Sequence, residues 1–445
     1  MRLLDPRRVE LWRLAWPLIL ANCTVPLLGM VDTAVVGHLP DPHHLGAVAL
    51  GAATFATLYL VFASVRMGTT GLTAQAVGAG DGVEARACLI RPLGLALALG
   101  VGLIACREPI VRLALWVFQP TDAVAGEFAV YVGWRIVSAP AALATFVLLG
   151  WLLGNHDTKS QFVLLVTANA LNAILSVVFV FGFGWGVAGV AMATVIAEYA
   201  GLALGCALAA RRWQRLPGTF DRVVLGSAER FRRLFRVNGD LVVRTLFLEA
   251  VFLGFAAMSA RQGEVLLAAN AILLNLILLQ AYALDGFAFA TEALAGRAVG
   301  RGSQAELDEA FRAGAFWSAG FAMLIALVFA GGGTLMVAVL TGIDEVRAAA
   351  RLFLPYVWCV PLVGAWAYLF DGLFSGATQT RELRNGSILA TTVFFGLAFP
   401  LAAVFANHGL WLAMLGFLAT RALWLAWRYR RLSREDGFVL AGRAA

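Results

Sequence analysis

The chain has 445 residues, 61% of them hydrophobic and only 14% charged, where a soluble domain is roughly 45–50% apolar and about 25% charged. This composition excludes an ordinary soluble globular protein and points to a chain that crosses a membrane repeatedly. The formal charge of +7 invites a nucleic-acid reading, but the placement of the cations, taken up below, makes it a matter of topology.

The first segment, MRLLDPRRVELWR, is basic like a signal n-region. The apolar run behind it is too long for an h-region and lacks a small-residue cleavage site, so it reads as a retained helix. Stretches long enough to cross a hydrocarbon core of about 30 Å then recur at 14–36, 45–67, 88–106, 128–153, 161–183, 187–210, 238–260, 267–290, 314–340, 352–376, 385–406 and 409–427. These give an all-α polytopic membrane protein with twelve transmembrane helices, joined by short loops and carrying no appended soluble domain.

Of the 34 Lys and Arg residues, 24 fall in the termini and even-numbered connections and five in the odd-numbered ones. By the positive-inside rule both termini and the basic 211–236 connection face the cytoplasm, and no nucleic-acid partner is expected. A shift of 222 residues lays LTAQAVGAGDGVEA (72–85) on LAGRAVGRGSQAEL (294–307), matching Leu72/Leu294, Ala76/Ala298, Val77/Val299, Gly78/Gly300, Gly80/Gly302 and Glu84/Glu306. Two six-helix lobes of like orientation follow: 1–210 as the N-lobe, 211–236 as a cytoplasmic linker, and 237–445 as the C-lobe with a short tail. A parallel repeat of this kind is typical of secondary transporters with a central site.

The chemistry of enzymes and pumps is missing. The single lysine, Lys159, follows Thr158, so there is no GxxxxGK[ST] phosphate loop. The five histidines form no HExxH and there is no GxSxG. The five cysteines form no CxxC and read as small hydrophobes. The chain is therefore expected to be neither an enzyme nor a metal or cofactor protein, and an ion gradient is the most economical driving force.

Charges inside the spans are costly and functional by default; the candidates in or beside them are Asp32, Arg66, Arg135, Glu198, Arg244, Glu249, Asp285, Glu292, Asp371 and Arg421. Asp32 interrupts VPLLGMVDTAVVGHL. It lies close enough to the end of its span to be solvated by headgroups, or it acts as a proton switch on a helix made bendable by Pro17 and Pro26. Asn172 and Ser176 share a helical face, with Thr194 on the next span; they either hold a protonatable partner or pack helices together. In the second half Glu249, Asp371 and Asp285 either form a cation-accepting cavity or are neutralised by Arg244 and Arg421.

VPLLGMVDTAVVGHL, RMGTTGLTAQAVGAGD, LLGWLLG, VAGVAMATVIAEY, AYALDGFAFATEALAG and LFDGLFSGAT together resemble the DinF branch of the multidrug and toxic compound extrusion (MATE) transporters, over essentially the whole chain. The resemblance implies a two-lobe antiporter of the bacterial inner membrane, acting as a monomer on small organic, cationic or amphipathic compounds, driven by protons or sodium ions and using no cofactor. It implies that Asp32 is central to cation coupling, that Asn172 and Thr194 belong to the same N-lobe network, and that the first helix bends near Pro17. Ser176 stands where many relatives carry a second aspartate, which leaves the N-lobe a single acid and favours proton over sodium coupling. Glu249 and Asp371 resemble C-lobe acids of other branches. A sodium-coupled exporter, or a lipid-linked oligosaccharide flippase of the wider superfamily, is the alternative.

Overall fold

The computed structural model describes residues 5–39, 41–435 and 437–438; the extreme ends of the two expected lobes, 1–4 and 439–445, lie outside the described residues. With no water in a bilayer to satisfy backbone groups, a spanning segment must bond to itself. The described residues accordingly form helices and no strand. In chain order they are α1 (Pro6–Gly37), α2 (Pro42–Gly78), α3 (Gly82–Ala105), α4 (Arg107–Phe118), α5 (Asp122–Arg135), α6 (Ala139–Gly154), α7 (Thr158–Val177), α8 (Gly186–Trp213), α9 (Arg222–Leu225), α10 (Ala228–Ala260), α11 (Glu264–Gly300), α12 (Gln304–Leu340), α13 (Asp344–Gly376) and α14 (Thr380–Arg434).

Among the described residues eleven helical stretches are long and apolar enough to cross a membrane, α5 and α6 counting as one through the 3₁₀ turn Ile136–Ser138. The 55-residue α14 breaks at Ala406, where φ is 49° and ψ −127°. Its two arms supply the eleventh and twelfth spans of the sequence reading. Helix α4, at 12 residues, is about 18 Å long at 1.5 Å per residue, too short to span; hydropathy had left this stretch as a connection.

Two compact units emerge: Leu20–Leu234, and the residues up to Ile19 together with those from Phe235 onward. The divisions fall inside α1 and inside α10. They differ from the 1–210 and 237–445 lobes at both edges. The start of α1 joins the later unit, where Trp317 Nε1 donates to the Arg8 carbonyl at 3.0 Å and Arg297 pairs with Glu10 at 2.7 Å. The expected linker folds onto the earlier unit: the buried Arg86 guanidinium donates to the carbonyls of Pro217 and Leu216 at 2.6 and 2.7 Å, and Arg91 donates to that of Leu225 at 3.1 Å.

The internal repeat is legible at the level of single atoms. Helices α2 and α11 end alike, Asp81 N donating to Ala76 O and Ser303 N to Ala298 O, with Gly80 and Gly302 at φ of 74° and 70°. Only glycine enters that region at little cost. Asp81 and Ser303 then cap α3 and α12 by accepting from the backbone N–H of Glu84 and Glu306.

Close packing repeats in the same register. A Cβ on Gly150 of α6 would lie 2.4 Å from the Arg66 carbonyl oxygen of α2, and one on Gly372 of α13 would lie 2.1 Å from that of Ala288 of α11. Gly154 and Gly376 meet Thr70 O and Glu292 O in the same way. All of these pairs are 222 residues apart. The motifs GWLLG and GLFSG thus let one helix lie directly on another's backbone, the small-residue contact by which membrane helices associate. Gly150→Ala and Gly372→Ala should each destabilise the detergent-solubilised protein by about 1–3 kcal/mol, read as a lower thermal unfolding midpoint. Gly94→Ala, where nothing lies within 4 Å of the added carbon, should leave it unchanged.

Candidate functional site

Within the Leu20–Leu234 unit the second half of α1 lies against α7, the two running in the same direction. Two polar rungs join them. Asn169 Nδ2 donates to Thr24 Oγ1 at 2.6 Å, and Ser176 Oγ lies 3.1 Å from Asp32 Oδ1. Eight residues on α1 and seven on α7 separate the rungs, about 12 Å along a helix. The lower rung, Thr24 with Asn169, was not foreseen; its signal was the 3-and-4 spacing of Asn169, Asn172 and Ser176 on one face.

From Asp32 the polar contacts run inward as a chain. Ser176 Oγ is 3.2 Å from Asn172 Oδ1, Asn172 Nδ2 donates to Thr194 Oγ1 at 3.2 Å, and the Thr194 hydroxyl donates to the Val190 carbonyl at 3.0 Å. Asn172, Ser176 and Thr194 are buried, and Asp32 is partly so. The four residues singled out in the first half are thus brought together.

The chain borders a cavity of about 290 Å³, near the lower end of the range for small-molecule sites. Its wall includes Asp32, Asn172 and Thr194, the aromatic rings of Phe55, Tyr59 and Tyr131, and the charged pair Arg135 and Glu198. Arg135, at the end of α5, donates to Glu198 Oε1 of α8 at 2.8 Å and to Ser138 Oγ at 3.0 Å, and its guanidinium sits 5.2 Å from the Phe55 ring centre. Glu198 lies one helical turn beyond Thr194, so α8 presents both to the same space. This corrects the expectation of a single acid in the first half. The cavity holds two carboxylates and one guanidinium, with Glu198 already committed to Arg135 through one oxygen. Its other oxygen, Oε2, is buried without a hydrogen-bonding partner among the described residues.

Pro17 and Pro26, the proposed hinges, both lie inside continuous α1. Each removes a backbone donor, which frees the carbonyl four residues earlier. The boundary between the compact units falls between Ile19 and Leu20, two residues beyond Pro17.

The other unit gathers its charges differently. Asp371 Oδ2 on α13 accepts from Arg421 at 2.5 Å and also from Arg244. Asp371 and Arg421 are 5% and 3% exposed, and Asp285 lies within electrostatic reach of Arg421. Both arginines considered as neutralising partners therefore act on the same aspartate. A carboxylate between two guanidinium groups is poorly disposed to take up a further cation. Glu249 of α10 is exposed and makes no hydrogen bond or ion pair among the described residues.

The MatE family profile matches residues 17–178 and 241–404 of the chain. The chain is 42% identical over 433 residues to DNA damage-inducible protein F of Escherichia coli K12, covering 97% of this chain and 94% of that protein. It is 26% identical to a probable multidrug resistance protein NorM of Neisseria meningitidis serogroup B over 95% of this chain and 94% of the other. Among solved structures, an outward-facing multidrug resistance MATE transporter superposes with a TM-score of 0.89 at 18% identity, covering 99% of this chain and 97% of that one. A MOP superfamily transporter from Pyrococcus furiosus gives 0.88 at 18% identity, with 96% of each chain covered.

Removing Asp371 leaves two guanidinium groups facing each other without their shared anion, and breaking a buried ion pair on one side costs about 3–5 kcal/mol. Asp371→Ala should therefore lower the thermal midpoint sharply, while Glu249→Gln should leave it within error. Differential scanning fluorimetry of the purified variants in one detergent reads both.

Proposed function

Because the chain belongs to the MATE family of transporters, whose members export multidrug and toxic compounds and are not enzymes, we propose that it is a proton-coupled antiporter in which Asp32 takes up the driving ion. The observation that carries this reading is the chain from Asp32 through Ser176 and Asn172 to Thr194, set on the wall of a cavity. Ser176 has one hydroxyl proton and two acceptors in reach, Asp32 Oδ1 and Asn172 Oδ1. With Asp32 ionised, the charge-assisted bond is the stronger, so the hydroxyl turns to Asp32 and leaves the Asn172 oxygen. With Asp32 protonated, Asp32 itself donates to Ser176, and the Ser176 hydroxyl turns to donate to Asn172 Oδ1.

One proton on Asp32 therefore reverses the direction of the Asp32–Ser176 bond and removes one negative charge from the cavity. The charged groups on its wall, Asp32, Glu198 and Arg135, sum to −1 before protonation and zero after. An organic cation is favoured in the first state and released from the second. Phe55, Tyr59 and Tyr131 supply flat apolar faces for its body, and aromatic faces attract cations directly. Glu198 Oε2 is an acceptor available to a donor on the cargo.

In the cell the exporter would sit in the inner membrane with both termini in the cytoplasm and work as a monomer, without a bound cofactor. Protonation of Asp32 from outside would let α1 bend at Pro17 or Pro26 and contract the cavity. Return to the inward-facing state would deliver the proton to the cytoplasm.

Sodium coupling keeps one specific argument, since Asp32, Ser176, Asn172 and Thr194 bring together several oxygens of the kind a hard cation prefers. A flippase for a pyrophosphate-linked lipid is disfavoured by a cavity with two acids and one base.

Proteoliposomes with an imposed pH gradient or an imposed sodium gradient separate these readings, using a cationic dye as cargo. Proton-driven dye exchange should be lost in Asp32→Asn. In Ser176→Ala it should fall about tenfold, the kinetic equivalent of one hydrogen bond to a charged group. Exchange that follows sodium alone, or that persists at full rate in Asp32→Asn, overturns the reading.

A further inference from the structure

Where α1 gives way to α2, the segment Asp41–Pro42–His43–His44 sets a carboxylate and two imidazoles side by side. One ligating atom from each of Asp41, His43 and His44 lies within 4.8 Å of the others. Two features of this cluster have no account among the described residues. Asp41 is the N-cap residue of α2, where an aspartate ordinarily accepts a hydrogen bond from the first turn, yet its side chain makes no such bond. His44 Nδ1 is buried and has no hydrogen-bonding partner among the described residues. The nearest charged group to it is Glu127 Oε1 of α5 at 3.8 Å, which exceeds hydrogen-bonding distance.

Neighbouring residues on a helix ordinarily point apart. Here the rings of His43 and His44 stand 4.1 Å apart between centres, turned toward common ground at the first turn of α2. Two imidazoles, one adjacent carboxylate and a second carboxylate across on α5 are the ligand types of a nitrogen and oxygen zinc site.

We propose that Asp41, His43 and His44, with Glu127 as the fourth ligand, bind one divalent transition-metal ion, zinc by ligand type. Two neutral imidazoles and two carboxylates balance the charge of the ion. Bonds of about 2.0–2.2 Å in a tetrahedron place donors roughly 3.3 Å apart. Asp41, His43 and His44 already bring ligating atoms within 4.8 Å of one another and Glu127 stands 3.8 Å from His44 Nδ1, so side-chain rotation would close the set around the ion. The ion would satisfy His44 Nδ1 and give the uncapped Asp41 carboxylate its partner.

Coordination by Glu127 would also tie the start of α2 to α5. Both helices line the Asp32 cavity, α2 through Phe55 and Tyr59 and α5 through Tyr131 and Arg135. A metal clamp at their ends therefore restrains the walls of that cavity.

The test is isothermal titration of the full-length, tag-free protein in detergent with zinc alone, which needs no cargo and no assumption about the coupling ion. One equivalent should bind, with a dissociation constant on the order of micromolar. The affinity should fall at least about tenfold in His43→Ala and in His44→Ala, and by a smaller factor in Glu127→Gln. Matching elution volume and metal-free thermal midpoint establish that the variants fold. His156→Ala and His408→Ala should bind as the wild type does. No stoichiometric binding, binding unchanged in both His43→Ala and His44→Ala, or a loss that follows His408→Ala would overturn the proposal.

Discussion

The cost of an ionised group in hydrocarbon organises this molecule. A charge at the centre of a spanning helix is unfavourable by about 2.5–3.5 kcal/mol even on permissive scales, so each one needs a partner or a polar space. The chain meets that constraint in two ways. In the unit from Phe235 onward the carboxylate of Asp371 is enclosed between Arg244 and Arg421, which suits a fixed structural element. In the Leu20–Leu234 unit Asp32 is hydrogen-bonded to a serine hydroxyl and faces a cavity shared with the Arg135–Glu198 pair, which suits a group whose charge is meant to change. Two halves built on one repeat have thus spent their buried acids differently.

The repeat explains why this division of labour is tolerated. Gly150 with Arg66 O and Gly372 with Ala288 O carry the helix packing in both halves, and the turns at Gly80 and Gly302 carry the connections. These contacts are made by backbone atoms, that of Arg66 included, and not by the charged side chains that differ between the halves. The scaffold is held by backbone proximity and capping, so the polar side chains on its inner faces are free to diverge.

Much of this was legible in the sequence because its causes are local or periodic. Hydropathy located the spans, the shift of 222 residues located the repeat, and the interruption of an apolar run exposed Asp32. Asn172, Ser176 and Thr194 were found by helical spacing together with the family resemblance. The pairing of Arg135 with Glu198 was not found, because 63 residues separate them and each looks like any other intramembrane charge until α5 and α8 are packed. For the same reason Arg244 and Arg421 stood as alternative partners for the C-lobe acids, whereas both act on Asp371. The unit boundaries inside α1 and α10 also escaped notice. Hydropathy describes a helix as one object and says nothing of which neighbours its two ends choose.

The central claim is that Asp32 takes a proton through its bond with Ser176, and infrared difference spectroscopy on acidification tests it without any cargo. The account predicts a carboxylic-acid C=O band that appears in the wild type as pH falls, is missing in Asp32→Asn, and moves to higher frequency in Ser176→Ala, where the hydroxyl partner is gone. A difference spectrum unchanged by Asp32→Asn would contradict it.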